Sequence, residues 1–166
     1  MNVRPRETAS TYSYANLWDR VDGDADREMY SFSGLSIYPE RGDRIRYFHR
    51  DNDSAGWLKF GAQDTGDHYG FRVGSRYADS LQFYKDGSLV EGSDFDMNAD
   101  EWYEVEIDYG ASDPDNITAR VYEIDGTEVG NLTVTDTDYD SGGVGFQSLE
   151  RGGTMYWDDV RVETTR

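Results

Sequence analysis

Short segments in which apolar and polar residues alternate recur along most of this chain, and turns rich in Gly, Asp and Asn separate them. The clearest segment covers residues 102–109, where apolar side chains occupy every second position. Its alternating apolar members are Tyr103, Val105, Ile107 and Tyr109. Because successive side chains of a strand point to opposite faces, the pattern predicts a β-strand with one buried face.

The same reasoning predicts a series of strands spaced by about 8 to 12 residues, which is typical of an antiparallel β-sandwich. These strands are residues 29–33, 44–50, 57–61, 68–73, 80–85, 102–109, 117–124, 128–135, 143–147 and 155–163. In the second of them, Ile45, Tyr47 and His49 share the face predicted to be buried. No segment has the 3.6-residue period of a helix. We therefore predict an all-β fold, with an irregular N-terminal arm at 1–28 and a sandwich at 29–166.

The composition makes the chain strongly acidic. Its 166 residues, enough for one domain, include 34 Asp or Glu and 16 Lys or Arg, for a formal net charge of -18. A surface of this sign repels nucleic acids and anionic membranes, so we expect no nucleic-acid partner. Aliphatic residues are few, whereas there are 13 Tyr, 7 Phe and 4 Trp. We therefore expect the core to be aromatic.

The acidity also has a distinctive make-up. Lys59 and Lys85 are the only lysines, and Asp outnumbers Glu by 23 to 11. Asp-rich, Lys-poor surfaces are typical of proteins that stay hydrated in molar salt, where the Debye length is about 3 Å and self-repulsion is screened. The composition predicts a halophilic environment, and an acidic mesophilic surface protein is the alternative.

Several other classes of protein are excluded or disfavoured. The chain has no cysteine, so it forms neither disulfides nor thiolate metal sites. No segment approaches the roughly 18 apolar residues of a membrane span, and we expect no membrane insertion. The first ten residues lack the apolar segment of a secretory signal. We expect a segment of a longer protein, or a component such as a virion protein that reaches an exterior surface without a signal.

The order of the motifs resembles a known family. The sequence is similar to the concanavalin A-like lectin/glucanase jelly roll, and more narrowly to the LamG-type domains of haloarchaeal surface proteins. The motifs that carry the resemblance are residues 33–35, 38–43, 60–64, 69–73, ADEWYEVEID at 99–108, YEIDGTE at 122–128, SGGVGF at 141–146 and WDDVRV at 157–162. The resemblance implies a concanavalin A-like sandwich. Because this fold serves lectins, glycosidases, lyases and structural domains, the fold alone does not decide the function.

One face of the strand at 102–109 carries Glu104, Glu106 and Asp108, which are candidates for catalysis. Retaining glycosidases of the similar family place Glu-x-Asp-x-Glu on such a strand, with carboxyls about 5 to 5.5 Å apart. The order here is Glu-Val-Glu-Ile-Asp, which does not match those roles. The alternative is a solvated face whose carboxylates pair with arginines of neighbouring strands. The candidate arginines are Arg44, Arg46 and Arg120.

Two acidic groups are candidates for calcium, which prefers oxygen ligands. Asp22 and Asp24 begin an alternating acidic run, although it lacks the glycine of an EF-hand loop. Asp158 and Asp159 lie in the last strand, where modules of the similar jelly-roll type hold a structural calcium. The alternative is that one Asp caps a turn or pairs with Arg161. We expect no required cofactor, with a structural Ca²⁺ as the open alternative.

Aromatic residues at the ends of strands are candidates for glycan binding. Sugars stack their C–H faces on Tyr and Trp and form hydrogen bonds with charged and amide side chains. The predicted set is Trp57, Tyr69, Tyr84, Trp102, Glu104 and Glu106. For each aromatic residue the alternative is packing in the core or at an edge.

The remaining chemistry is sparse. His49 and His68 are far apart in sequence and support no Ser/His/Asp arrangement, and His49 is predicted to be buried and hydrogen-bonded. Asn116 and Asn131 begin glycosylation sequons, and a third begins at Asn52. Sequons matter only in a secreted chain.

These observations lead to one principal hypothesis. We expect a non-catalytic, lectin-like β-sandwich at an exterior surface of a halophilic archaeon or its virus, for example a virion decoration, spike or fibre component. Its partners would be host or cell-surface glycans, or other virion or surface-layer proteins. We also expect the protein to form a homo-oligomer. The alternatives are a purely structural surface domain and a glycoside hydrolase or lyase of the same fold.

Overall fold

The structure is a computed structural model that describes residues 12–15, 29–31, 38–52, 54–63, 66–75, 81–148 and 154–164. In this part of the chain the regular elements are all β-strands. They are β1 Tyr12–Ala15, β2 Met29–Ser31, β3 Asp43–Asn52, β4 Gly56–Ala62, β5 Tyr69–Val73, β6 Leu81–Lys85, β7 Ser88–Ser93, β8 Tyr103–Tyr109, β9 Asn116–Glu123, β10 Glu128–Thr135, β11 Gly143–Ser148 and β12 Thr154–Thr164. None of the described residues form a helix that could cross a membrane.

The strands form two antiparallel sheets that pack face to face. The first sheet has the order β1-β12-β3-β8-β9-β10, and the second has the order β2-β11-β4-β5-β6-β7. Strands close in sequence pair as hairpins, as in β8–β9–β10 and β4–β5–β6–β7. The predicted all-β antiparallel sandwich is therefore confirmed.

Aromatic side chains dominate the space between the sheets. The largest fully buried side chains are Tyr47, Tyr69, Tyr103, Tyr109, Phe60, Phe71, Phe83 and Phe146. Rings from opposite sheets meet directly: the centroids of Phe60 and Tyr109 lie 5.1 Å apart, edge to face. Aromatic pairs in this arrangement add about 0.5–1.5 kcal/mol beyond the burial of their area. The core is aromatic, as the composition predicts.

Most predicted strands appear within a few residues of their expected bounds, but two strands were not expected. β1 lies inside the segment predicted to be irregular, where it pairs with β12 at the edge of the first sheet. The description of 1–28 as wholly irregular was therefore wrong for Tyr12–Ala15. β7 has no alternating apolar pattern because it is an edge strand with most of its residues exposed. Its pairing with β6 follows from the tight turn at Asp86 and Gly87, which both have positive φ.

The outer face of the first sheet carries a set of ion pairs between strands. Arg46 of β3 pairs with Glu106 of β8, and Arg120 of β9 donates to the other oxygen of Glu106 at 3.0 Å. Arg44 lies 3.5 Å from Asp108. These contacts follow from the register, which places Arg46 opposite Glu106 and Glu106 opposite Arg120. The acidic side chains of β8 are therefore paired with the predicted arginines.

The first residue of β3, Asp43, is a buried acid. Its side chain is fully excluded from solvent, and its Oδ2 accepts a hydrogen bond from the backbone N–H of Glu40 at 3.0 Å. Burial disfavours the ionised form and raises the pKa of Asp43 to about 6. The folded state therefore binds this proton more tightly than the unfolded state, and stability is lost as the pH rises from about 4 through 6.

We expect Asp43→Asn to stabilise the protein at high pH, because the amide keeps an acceptor for Glu40 without a charge. The gain should reach about 3 kcal/mol at pH 8 and about half of that at pH 5. Urea titrations at the two pH values measure it. Asp108→Asn is the opposite control, because hydrogen bonds from Ser112 and Ala111 outweigh burial and lower the pKa of Asp108. A gain from Asp43→Asn that does not change with pH would contradict this account.

Candidate functional site

An open pocket of about 460 Å³ lies on the outer face of the second sheet. Its volume is within the range of small-molecule sites in proteins. The residues that line it come from β4, β5, β6, β11 and the connections between them: Trp57, Lys59, Gly66, His68, Gly70, Arg72, Tyr84, Asp86, Gly87 and Gln147. The lining mixes aromatic, charged and amide side chains around glycines.

The alternation of the strands determines which side chains reach this face. In β4, Leu58 and Phe60 are buried between the sheets, so Trp57 and Lys59 point outward. The register then places Trp57 opposite Arg72 of β5, and Lys59 opposite Gly70. On the other side of β5, Tyr84 of β6 stands opposite Gly70. Three adjacent strands thus supply a continuous patch of outward-facing side chains.

An aromatic pair forms one wall of the pocket. The rings of Trp57 and Tyr84 meet edge to face, with their centroids 5.4 Å apart and their planes at 85°. The guanidinium of Arg72 lies 5.6 Å from the centre of the Tyr84 ring, and the Tyr84 hydroxyl donates to Gln82 at 2.8 Å. These contacts fix the positions of both rings, so the wall is preformed.

Gly70 lies at the centre of the patch and lines the pocket. A Cβ atom at this position would lie 3.7 Å from Cδ1 of Trp57 and 3.9 Å from Cγ of Lys59. Such distances are ordinary contacts, so the backbone has room for a methyl group. A methyl group would therefore fill the gap between the tryptophan and the lysine, whereas a larger side chain would displace them.

The turn between β6 and β7 forms the rim of the pocket. Asp86 has a φ of 51°, in the left-handed region of the backbone. Residues other than glycine adopt this conformation at an energetic cost, which is smallest for Asp and Asn. Its Oδ1 accepts hydrogen bonds from the backbone N–H of His68 at 3.0 Å and from the Tyr139 hydroxyl at 2.8 Å. The carboxylate thus holds the rim against the strand β5 and the segment around Tyr139.

Beneath the rim, a partly buried network connects the pocket to the core. Lys85 donates to Asp136 at 2.7 Å and also pairs with Asp138. The Tyr69 hydroxyl donates to Asp136 and accepts the backbone N–H of Tyr139 at 3.0 Å. Although burial opposes ionisation, the hydrogen bond from Lys85 lowers the pKa of Asp136. The acid therefore stays charged and anchors the rim at neutral pH.

Of the aromatic residues predicted for glycan binding, the structure brings Trp57 and Tyr84 together and separates the others. Tyr69 is fully buried, because it shares the inward face of β5 with Phe71 and packs against Tyr109. Tyr69 is therefore a core residue, which is the alternative given above for each aromatic candidate.

Trp102, Glu104 and Glu106 lie on the first sheet, on the side of the sandwich away from the pocket. Trp102 packs against Tyr156, with ring centroids 6.4 Å apart. Glu106 is only 7% exposed and is held by Arg46 and Arg120. These residues do not share a site with Trp57 and Tyr84, and Glu106 is not placed to act as a nucleophile.

The predicted calcium residues are not assembled into a site within the described part of the chain. Asp159 has a φ of 54° at an irregularity in the pairing of β12, and its carboxylate pairs with Arg161. Asp158 is half-buried, and burial raises its pKa. Asp22 and Asp24 lie outside the described residues. No three potential ligands converge among the residues that the structure describes, and calcium binding by Asp158 and Asp159 stays a prediction.

His49 and the asparagines of two glycosylation sequons have acidic side chains as partners. His49 is fully buried, and its Nε2 lies 3.1 Å from Asp51 Oδ2, so the prediction of a buried, hydrogen-bonded histidine is confirmed. The Asn116 amide donates to Asp113 and the Asn131 amide donates to Glu128, each at 2.8 Å. Modification of these two asparagines stays a prediction.

Several pocket residues were not predicted: Lys59, Arg72, His68, Asp86 and Gln147. A signal for the first two was present, because each alternates with buried aromatic or aliphatic residues and must point outward. The contribution of Asp86 depends on the turn after β6, and that of Gln147 on the pairing of distant strands.

Comparisons with known proteins identify the fold of this chain but not its function. No family model matches the chain, and no curated protein matches its sequence. Solved structures do match. The VIP36 exoplasmic/lumenal domain in its Ca²⁺/Man3GlcNAc-bound form is 10% identical in sequence, with a TM-score of 0.64. The match covers 94% of this chain and 84% of that chain. Arcelin-5, a lectin-like defence protein from Phaseolus vulgaris, is 10% identical, with a TM-score of 0.59 and coverages of 92% and 98%.

An enzyme shares the architecture as well. The Crh5 transglycosylase in complex with NAG is 14% identical, with a TM-score of 0.56, 93% of this chain and 79% of that chain covered. The fold is thus the lectin jelly roll of the concanavalin A type, as predicted. At these identities the likeness defines the fold, and the function must be argued from the pocket.

We expect Asp86→Ala to destabilise the protein by about 1–3 kcal/mol, because it removes an acceptor from two donors and leaves a β-carbon in the left-handed region. Asp86→Asn is the matched variant, since it keeps an acceptor oxygen and tolerates positive φ. Unfolding by urea, followed by tryptophan fluorescence, compares the two. Equal losses of stability in both variants would show that the carboxylate charge, rather than the acceptor and backbone geometry, holds the rim.

Proposed function

We propose that this protein is a non-catalytic carbohydrate-binding β-sandwich whose sugar site is the pocket on the outer face of the second sheet. The observation that carries the proposal is the preformed Trp57–Tyr84 pair, which lines the pocket together with Gly70. A sugar ring would place its C–H face against this wall. Lys59, Arg72 and Gln147 would then meet its hydroxyls.

The polar composition of the pocket supports binding of a hydroxyl-rich ligand. Specific small-molecule sites combine apolar or aromatic walls with a few convergent polar groups. Here charged and amide side chains from β4, β5 and β11 surround the aromatic wall.

The distribution of carboxylates favours binding over catalysis. Hydrolysis of a glycosidic bond requires two carboxyl groups on either side of the bond. Among the described residues that line the pocket, Asp86 is the one acid, and its Oδ1 accepts hydrogen bonds from His68 and Tyr139. Glu104 and Glu106 lie on the other sheet. We therefore propose a lectin-like role, with the glycosidase or lyase as the less supported alternative.

We expect Trp57→Ala to weaken glycan binding by at least about tenfold, since truncation of a central aromatic anchor costs about 2 kcal/mol or more. The measurement is a glycan array followed by titration calorimetry on the sugars that bind. Trp102→Ala is the matched control, because it removes the same side chain from the opposite sheet and should leave the affinity unchanged.

Two other results would contradict the proposal. Equal losses from Trp57→Ala and Trp102→Ala would indicate a general effect on folding rather than a site on the second sheet. Absence of binding to every glycan by the folded protein would favour the purely structural alternative.

We propose that the protein acts at an exterior surface of a halophilic archaeon or its virus. There it would decorate a virion or cell surface as a homo-oligomer and bind glycans or neighbouring surface proteins. The support is the charge of -18 with only two lysines. A monomer in light scattering at high protein concentration in molar KCl would contradict the oligomer.

We expect the unfolding temperature to rise as KCl increases from 0.1 to 3 M. Salt shortens the Debye length from about 10 Å to below 3 Å and so screens repulsion between the acidic side chains. Differential scanning calorimetry across this range measures the change. A constant or falling unfolding temperature would contradict the halophilic setting while leaving the glycan site untouched.

A further inference from the structure

We infer that the sugar bound by this pocket carries an acetyl group. Its carbonyl oxygen accepts a hydrogen bond from the indole N–H of Trp57, and its methyl group packs over Gly70. The inference rests on the proposed function and names the class of sugar, an acetylated one such as an N-acetylated amino sugar. Two observations carry it, the state of the Trp57 indole N–H and the glycine beside it.

The first observation concerns the indole nitrogen of Trp57. Nε1 is buried, and among the residues that the structure describes no atom accepts a hydrogen bond from it. Buried donors in this state are rare in native proteins and costly to the folded chain. The ring of Tyr84, whose plane lies at 85° to the indole, offers at most a weak N–H···π contact. A donor left in this state in the wall of a pocket indicates that the ligand supplies the acceptor.

The geometry of the ring places this donor beside Gly70. Gly70 stands between Lys59 of β4 and Tyr84 of β6 on the outer face of the sheet. A Cβ atom at Gly70 would lie 3.7 Å from Cδ1 of Trp57, and Cδ1 is bonded directly to Nε1. The edge of the indole that carries the N–H is therefore the edge next to Gly70.

The second observation is that Gly70 lets a ligand group approach the backbone beside this donor. Glycine in a strand often marks such a close approach. The atoms nearest to an added Cβ would be Cδ1 of Trp57 and the backbone oxygen of Leu58, both at 3.7 Å, and Cγ of Lys59 at 3.9 Å. Since both neighbouring side chains present carbon atoms, this position suits a small apolar group such as a methyl.

A carbonyl oxygen suits the indole donor better than a sugar hydroxyl does. A hydroxyl that accepts from Nε1 brings an O–H group of its own, which requires a further acceptor. The nearest side-chain atoms around Gly70 are carbons, so this O–H would lose its hydrogen bond to water without replacement. An acetyl carbonyl only accepts, and its methyl group matches the apolar contacts. An acetamide and an acetyl ester share this chemistry.

Because Nε1 is buried, binding requires a side chain of the lining to rotate. The rings of Trp57 and Tyr84 hold each other in place. Gln147 stands opposite Trp57 and lines the same pocket, and its side chain has the rotamer freedom of a long, unbranched residue. Rotation of such a side chain opens the N–H edge while the aromatic wall stays in place.

The experiment compares neutral sugars that differ in one substituent. The probes are N-acetylglucosamine beside glucose, N-acetylgalactosamine beside galactose, and diacetylchitobiose beside cellobiose, with an O-acetylated methyl glucoside as the ester. Calorimetry is run on the folded protein in 2 M KCl. We expect at least one acetylated probe to bind at least about tenfold more tightly than its hydroxyl counterpart. The amide and ester arms identify which linkage the pocket accepts.

The proton–nitrogen correlation spectrum reports the hydrogen bond directly. The chain has 4 Trp, and the indole signal of Trp57 is the one that disappears in Trp57→Phe. We expect the acetylated probe to move this signal downfield, because the proton enters a hydrogen bond to a carbonyl, and the hydroxyl counterpart to move it less. An unchanged signal in protein saturated with the acetylated probe would overturn the hydrogen bond.

Two variants test the two halves of the acetyl site. Trp57→Phe keeps an aromatic ring but removes the donor, and a smaller ring weakens both members of a probe pair alike. The ratio of their affinities should therefore fall by about tenfold. Gly70→Ala places a methyl group where the acetyl group would lie, and because its Cβ makes only ordinary contacts, the fold should persist while the ratio falls.

Gly143→Ala is the matched control for the glycine. Its Cβ would lie 3.6 Å from Ala62, also an ordinary contact, and Gly143 of β11 lies away from the lining of the pocket. This variant should leave the affinity ratio unchanged. Retention of the ratio in both Trp57→Phe and Gly70→Ala would overturn the inference, as would an equal loss in Gly143→Ala.

Three outcomes separate this inference from the proposed function. If acetylated and plain sugars bind equally and Trp57→Ala weakens both, the sugar site stands and its acetyl specificity is overturned. If N-acetylglycine amide binds as tightly as any acetylated sugar, the acetyl site stands, but the pocket recognises the group without a sugar and the proposed function is overturned. Absence of binding to every probe overturns both.

Discussion

The contact between aromatic rings across the two sheets is the constraint on which the rest of the structure depends. Phe60 of β4 and Tyr69 of β5 both pack against Tyr109 of β8, so the inward faces of these strands are fixed. Since strand side chains alternate, the residues between them must point outward. The position of Lys59, next to Phe60, is therefore a direct consequence of core packing.

The same core also positions the rim of the pocket. The Tyr69 ring is buried among its neighbours, while its hydroxyl reaches Asp136 and the backbone of Tyr139. Asp136 binds Lys85, which immediately precedes the turn at Asp86. These contacts are partly buried, so displacement of the rim would separate Lys85 from Asp136 and break the hydrogen bond between Tyr69 and Asp136. The polar contacts thus connect the rim of the pocket to the aromatic core.

The sequence predicted the fold well because alternation in strands such as β3 and β8 is strong and their faces differ sharply in polarity. It could not locate β1 or β7, whose pairing depends on a distant strand or a turn. For the site, Trp57 and Tyr84 were found from residue type, but Tyr69 has the same local signal and is buried. Only the packing of the two sheets distinguishes them, and packing is not encoded in the local pattern.

The division of charge between the two faces gives the structure its asymmetry. On the first sheet, Glu106 and Asp108 are matched by arginines on neighbouring strands, so these two carboxylates are held in ion pairs. On the second sheet, Lys59 and Arg72 line a pocket together with Gly70 and the aromatic pair Trp57–Tyr84. Aromatic walls with a few polar groups around a pocket are typical of small-molecule sites. The second sheet is thus the face that carries the candidate binding surface.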